Sequence, residues 1–179
     1  MATETELSLP PWAGLGQLAN TRPVLVQDTR EQVPLVFTRL RCVRGTIGTG
    51  DYSILGLLDA FSVEKKSIDD LVNCCTADRD RFARELCRLR GYKFKRLLIL
   101  GSRAEIELQR YHSWVSPKAV LGSLAAWECR YDVPVVYASS PVEAARMVEG
   151  WAFYFSREYV RAANELLRAA QNDEPEGEQ

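Results

Sequence analysis

Histidine is nearly absent: the 179 residues hold one, His112. The five cysteines, Cys42, Cys74, Cys75, Cys87 and Cys129, are odd in number and include no C-x-x-C pair. These shortages exclude the usual zinc-ligand spacings and speak against a disulfide framework, so reduced thiols are expected. No apolar run approaches the roughly 20 residues of a membrane-spanning helix. The first residues, MATETELSLPPWAGLGQ, have no basic segment followed by an apolar one, so neither a secretion signal nor a membrane partner is expected. No internal repeat and no splitting linker is found, and no organic cofactor is expected. The reading is a protein that is not secreted and is cytoplasmic or nucleoid-associated.

What is present suits one domain. The chain is 46% hydrophobic, enough for a full core over this length. The net charge of −1 is unevenly spread. Six acids lie near the ends: Glu4, Glu6, Asp173, Glu174, Glu176 and Glu178. Setting them aside leaves 18 acidic against 23 basic residues, a mildly basic body that fits a nucleic-acid partner without demanding one. Residues 1–20, with Pro10-Pro11 and scattered glycine, read as a flexible arm. Residues 21–171 read as the domain, and 172–179 as an acidic, disordered tail.

Short apolar strands are expected at Val24–Val26 (running to Asp28), in PLVF, in LRCVRGTI, in DAFSVEKK, in RLLIL and in VPVVYA. Ser67 opens a helix as N-cap, with Asp70 at N3. DRDRFARELCRLRG is amphipathic, with Phe82, Leu86 and Leu89 on one face and Gly91 as a stop. Ser116 and Pro117 begin another helix. Ser140 and Glu143 form a further capping signal. A last helical stretch carries Trp151, Phe155, Tyr159, Ala162 and Leu166 on one stripe. Strands first, then helix and strand in alternation, give an α/β fold: a mixed β-sheet flanked by helices.

The chemistry concentrates at the end of one strand. Glu64 and Lys66 are two residues apart, so they share a face. Asp51 follows Gly50 at the mouth of a neighbouring strand. Two carboxylates at adjacent strand ends can share a hard cation, which binds phosphate oxygen and supplies a bound water. A lysine beside them can steady developing charge or help deprotonate that water. Taken alone, acid-x-Lys is very common and reads first as a salt bridge at a sheet edge, with Asp51 a turn residue.

Three ordered motifs, VQDTRE, TGDY and VEKKSIDDL, resemble the nuclease domain of the XPF/Hef family of structure-specific endonucleases, which shows D-x-R-E, G-D-Y and V-E-R-K-x-x-x-D-L in that order. Its core is the D…E-x-K arrangement of the restriction-endonuclease-like superfamily. The resemblance continues through Arg81, Phe82 and Glu85, and through RLLIL and AVLGSLAAWECRYDVPVVYASSP, over roughly residues 23–148. It implies a restriction-endonuclease-like single domain and a magnesium-dependent DNA endonuclease, with manganese as substitute, acting in DNA repair or recombination. It puts Asp51, Glu64 and the Lys65 carbonyl on the metal, makes Lys66 the catalytic lysine, and makes Asp28 an additional acid of the site and a further metal ligand. Arg30, Glu31, Asp70 and Arg81 match motif positions near the site, though Asp70 is equally explained by its capping position.

The family's E-R-K is E-K-K here, so Lys65 keeps charge and loses the planar fork of arginine. Gly101 stands where many relatives carry an acid. These residues show no tandem helix-hairpin-helix or helicase pattern, which leaves a preference for branched DNA or single-strand/duplex junctions an open expectation. Arg79 to Arg96 holds eight basic residues interleaved with Tyr92 and Phe94. Arg30, Lys65, Arg81, Arg84 and Arg88 are the expected DNA contacts; a solvated helix face is the plain alternative. The aromatic stripe reads as core packing or as the seam of a homodimer through the later helices. Rival readings of the whole are a catalytically inactive, DNA-binding pseudo-nuclease and an interaction module.

Overall fold

The computed structural model describes residues 9–172. Its centre is a six-stranded mixed sheet in the order β2-β1-β3-β4-β5-β6. The strands are β1 (Leu25–Asp28), β2 (Cys42–Gly45), β3 (Tyr52–Ile54), β4 (Phe61–Ser67), β5 (Phe94–Leu100) and β6 (Val135–Ala138). β3 runs antiparallel to both its neighbours, β1 and β4, and the pairs β1–β2, β4–β5 and β5–β6 are parallel. The helices are α1 (Ile68–Cys74), α2 (Arg79–Leu89), α3 (Arg103–Glu107), α4 (Pro117–Tyr131) and α5 (Pro141–Asn172).

Strand alternation sorts the core into two layers. Leu97 and Ile99 of β5 face α1, α2, α3 and α4, where they meet Leu71, Phe82, Leu86, Ile106, Val120 and Trp127. Leu98, between them in sequence, faces the other way, joining Phe61 and Val63 of β4 and the small residues Ala144, Ala145 and Ala152 of α5. Small residues on that face of α5 let the helix lie close to the sheet.

Several expected elements form for the expected reasons. The Ser67 hydroxyl accepts from the Asp70 N–H at 3.1 Å and donates to the Asp70 carboxylate at 2.6 Å, fixing the start of α1. Ser116 accepts from the Ala119 N–H, and Pro117 occupies the first turn of α4. The two later helical stretches are one helix, α5, running through Gly150. Ser140 Oγ accepts from the Glu143 N–H, while the Glu143 carboxylate turns to the N–H and hydroxyl of Ser139. A full capping box forms elsewhere, between Ser102 and Glu105 at the head of α3.

Other expectations are corrected. PLVF is not a strand. Pro34 has no N–H to give a ladder, and Leu35 donates its N–H to the Tyr52 hydroxyl at 2.8 Å instead. The real edge partner of β1 is Cys42–Gly45 alone. Residues 9–20 are not a loose arm: Trp12 and Leu15 are buried against Phe153 of α5. Residues 1–8 and 173–179 lie outside the described residues, and with them most of the acidic tail.

On α5 the aromatic stripe divides. Phe155 and Trp151 pack on Phe94, which stacks on Phe61 at 4.6 Å, and Lys93 sits 4.8 Å over the Tyr159 ring. Farther along, Ala162 is exposed, and so are Leu166 and Leu167. Among the described residues, no helix is long and apolar enough to cross a membrane.

Candidate active site

The site is built where β1, β3 and β4 end together. Gly50 makes the turn into β3 with φ of +87°, a region L side chains rarely adopt. A Cβ there would fall 2.2 Å from Ser62 Oγ and 3.1 Å from the Val63 carbonyl oxygen. Glycine therefore lets the chain press against β4, where the Asp51 N–H donates to the Val63 carbonyl at 2.8 Å. The Asp51 carboxylate accepts the Lys65 N–H at 2.7 Å. N–H and C=O of one strand residue point to the same side, so the Lys65 carbonyl lies on the side of β4 that Asp51 occupies.

Alternation along β4 separates its charges. Glu64 and Lys66 face α1 and α2; the Lys66 ammonium bonds the Glu64 carboxylate and lies 5.5 Å from the centre of the Phe82 ring. Lys65 points to the opposite face. There its ammonium bonds the Val33 carbonyl and pairs with Glu31 at 3.2 Å, both side chains nearly out of contact with solvent. The expected phosphate contact from Lys65 thus meets an ammonium already held inside the protein, at 8% exposure.

The carboxylates fall into two settings. Asp28 is buried, and its oxygens accept from Arg30 Nε at 2.6 Å, the Arg30 N–H at 2.8 Å and the Ile47 N–H at 2.8 Å. Burial alone would raise its pKa, but the Arg30 guanidinium and the two N–H groups outweigh it and bring the carboxyl down to about 2. Asp51 goes the other way: burial pushes it up to about 6 against the pull of the Lys65 N–H and the Lys66 charge. Glu64 is 2% exposed and is raised well above the usual range by burial and by the Asp51 charge. Lys66 stays protonated: burial works against its charge, but Glu64, Asp51 and Glu85 outweigh it.

An open cleft of about 510 Å³ runs past this edge. Asp51, Lys65, Lys66, Asp70, Arg30, Glu31 and Arg81 are on its wall. Glu64 and Asp28 are not; Glu64 reaches the cleft through Lys66, and Asp28 stands behind Arg30. Asp28 is nonetheless tied to the site, since its N–H donates to the Asp51 carbonyl at 2.8 Å. Arg81 pairs with Asp78 at 3.0 Å on the rim. Arg84 is exposed on α2, and Arg88 donates to Thr49 Oγ1 at 3.0 Å, bracing α2 against the turn that carries Asp51. Asn73, Cys74 and Asp78 also line the cleft, although no motif points to them. Glu85, a motif position without an expected role, adds its charge to the field around Glu64 and Lys66.

Two neighbouring carboxylates, both harder to ionise than usual because they are buried, and one made harder still by the other, are what a divalent cation would relieve. The oxygen-only donor set of Asp51, Glu64 and the Lys65 carbonyl suits a hard ion. Among the described residues, no group of three or more His, Cys, Asp or Glu is arranged to hold a metal.

Comparison with known proteins places the fold. The ERCC4 domain family pattern matches residues 26–150, from β1 into α5. The chain belongs to the ERCC4 domain family. Among solved structures it is similar to XPF from Aeropyrum pernix, with a TM-score of 0.58 at 19% identity, covering 73% of this chain and 60% of that one. It is also similar to XPF from Aeropyrum pernix in complex with DNA, with a TM-score of 0.56 at 20% identity, over 73% of this chain and 64% of that one. Both matches thus span less than two thirds of the XPF chains. No curated protein sequence matches. The mixed sheet and its flanking helices are the fold shared with XPF from Aeropyrum pernix. Gly101 has φ of +138°, and a Cβ would fall 2.4 Å from Ile68 Cδ1, so close packing against α1 accounts for the glycine.

Proposed function

We propose that this protein is a divalent-metal-dependent DNA endonuclease that hydrolyses phosphodiester bonds at the β3–β4 edge. The observation that carries the reading is the half-buried Asp51 carboxylate and the protonated Lys66 on the wall of an open cleft, with the buried Glu64 carboxylate bonded to Lys66 behind it. Asp51, Glu64 and the Lys65 carbonyl would hold magnesium, or manganese in its place. Bound there, the ion supplies a polarised phosphate oxygen and a water of lowered pKa. Lys66 gives positive charge next to the reacting phosphate as negative charge builds on its oxygens. Arg30 and Arg81 on the cleft wall, with Arg84 and Arg88 along α2, would contact the DNA backbone. Lys65 is left out of that set, because Glu31 and the Val33 carbonyl take its donors. Asp28 acts as a positioning residue, orienting Arg30 and joining β1 to Asp51, rather than as a metal ligand.

A second copy of the chain is part of this reading. The exposed Leu166 and Leu167 at the far end of α5 offer apolar surface that a two-fold partner would cover. A cytoplasmic or nucleoid setting follows from the substrate. The deciding experiment incubates the purified protein with single-stranded, duplex, flap and forked DNA, with magnesium, manganese or chelator. Cleavage with either metal and none with chelator is expected. Salt-sensitive binding without cleavage under any metal would make the protein a pseudo-nuclease, and neither binding nor cleavage would make it an interaction module.

A further inference from the structure

Trp114 has no place in the site described above, and it is fully exposed, at 100%. Trp12 and Trp127 are 1% and 4% exposed by contrast, as the gain from burying a large aromatic would have it. An indole left wholly in water on a slack loop would mean little. The loop carrying Trp114 is held at several points. Its two ends, Tyr111 and Val115, pack on the core layer beneath α1 and α4, and the Tyr111 hydroxyl donates to the Val115 carbonyl at 2.6 Å. Gln109, in the left-handed region with φ of 52°, reaches across to the Ser113 carbonyl at 3.3 Å. The Ser113 N–H donates to the Tyr111 carbonyl at 3.1 Å. So the loop that holds Trp114 outward is braced by its own hydrogen bonds.

The loop is also fastened to α1. The His112 N–H donates to Asp69 at 2.7 Å, and the His112 ring meets the other oxygen of that carboxylate at 3.1 Å. Asp69 adjoins Asp70, which lines the cleft, and Leu100 at the end of β5 lines it too before the chain passes through α3 into this loop. Gln109, His112 and Ser113 surround Trp114 with polar groups. Arg110 and Lys118, each four residues away in the chain, are exposed cations, while the acids Asp69 and Glu107 are engaged with His112 and Arg103. Among the described residues, neither Arg110 nor Lys118 has an ion-pair partner. An exposed aromatic plane flanked by unpaired cations is the arrangement that holds single strands, by base stacking together with phosphate attraction.

We propose that Trp114 is a stacking platform for an unpaired DNA base, carried on the loop that His112 ties to α1. This rests on the endonuclease reading of the cleft. The test measures binding of labelled single-stranded, forked and blunt duplex DNA in a Glu64→Gln background, which keeps the DNA intact. Trp114→Ala should weaken binding to single-stranded and forked DNA by about tenfold and leave the blunt duplex unchanged. Trp114→Phe should recover most of the loss, because a smaller ring still stacks. Acrylamide quenching of the exposed indole should fall when single-stranded DNA is added, and that protected component should vanish in Trp114→Phe. An equal loss on all three DNAs would overturn the proposal, because stacking spares a closed duplex. Unchanged binding on all three would also overturn it, and would leave the indole to a protein partner. If the Glu64→Gln protein binds none of them, this inference and the endonuclease reading fall together; if it binds and Trp114→Ala changes nothing, only this inference falls.

Discussion

Two buried glutamates, Glu149 on α5 and Glu64 on β4, sit in the same protein under opposite conditions. Glu149 is fully buried, and its oxygens accept the N–H groups of Thr38, Arg39 and Leu40 and the Arg39 Nε at distances from 2.6 to 3.0 Å. All of these donors belong to one loop, so the carboxylate pins residues 38–40 to the helix. Glu64 is as deeply buried but has one ammonium for a partner and a second carboxylate for a neighbour. The first arrangement holds a fold together. The second is an unfinished charge balance, the kind of local conflict that folded proteins keep where chemistry is done.

Substitutions at the two sites should therefore fail in opposite ways. The largest effect is expected on activity: Glu64→Gln should cut metal-dependent cleavage by about 10²–10³-fold, measured on fluorescent DNA, while the circular dichroism stays native. Glu149→Ala should do the reverse. It takes the acceptor from three N–H groups, among them that of buried Leu40, and from the partly buried Arg39 guanidinium, and chemical denaturation should show a loss of about 3–5 kcal/mol, with cleavage per folded molecule kept. If Glu149→Ala proved as stable as the parent, or Glu64→Gln cut DNA at the parental rate, the contrast between the two glutamates would collapse.

The aspartates sharpen the contrast through pH. Asp28 has its pKa lowered, so its contribution to stability is whole above the ordinary value of 3.8 and is lost as pH falls through about 2. Asp51 has its pKa raised, so its contribution is whole below 3.8 and is lost as pH rises through about 6. At neutral pH, with chelator present, Asp28→Asn should lower the unfolding free energy by about 2 kcal/mol, as expected when charged hydrogen bonds are removed. Asp51→Asn should raise it, in a protein that no longer cleaves. Urea titrations at pH 7 and pH 4 check both signs; a destabilised Asp51→Asn at pH 7 would show that this carboxylate belongs with Asp28.

The smallest effect concerns grip. Arg84→Ala with Arg88→Ala should weaken binding to all DNA sequences alike. It should also flatten the salt dependence, by about 0.9 in log–log slope for each duplex phosphate that the protein no longer neutralises. Arg88 also braces Thr49, so Arg84→Ala alone separates a missing phosphate partner from a shifted turn. An unchanged slope would return α2 to the role of a solvated face.

Much of this site was legible because it obeys two local rules. Alternation along β4 put Glu64 and Lys66 on one face, and the Gly-Asp pair placed Asp51 at a tight turn. The direction of Lys65 followed from the same alternation, but its partner, Glu31, is distant in sequence, and charge alone does not reveal whether an ammonium meets solvent or an acid. Asp28 looked like Asp51 in sequence; their difference is the Arg30 guanidinium folded back on one and absent from the other. β3 was expected only as an undelimited strand beyond Asp51, because Tyr52, Ser53 and Ile54 are all buried and three residues show no alternation. Trp12 was hidden by its surroundings, since Pro10, Pro11 and Gly14 announce a loop whether or not the loop is packed. The Ser102–Glu105 box was readable but did not stand out, because α3 is too short to show an apolar period.

The E-K-K triplet of β4 has a further consequence, which is one of counting. Its two lysines are chemically alike and adjacent, and only the odd or even position along the strand decides that one meets Glu31 and the other Glu64. Insertion or removal of a single residue between Phe61 and Lys66 would swap their faces, carrying the ammonium of Lys66 to the α5 layer without altering net charge. Sequence drift in this protein is thus free to change residue identities in β4 more readily than to change its length, whereas α5 beyond Tyr159, which keeps no such parity, can grow or shrink by whole turns.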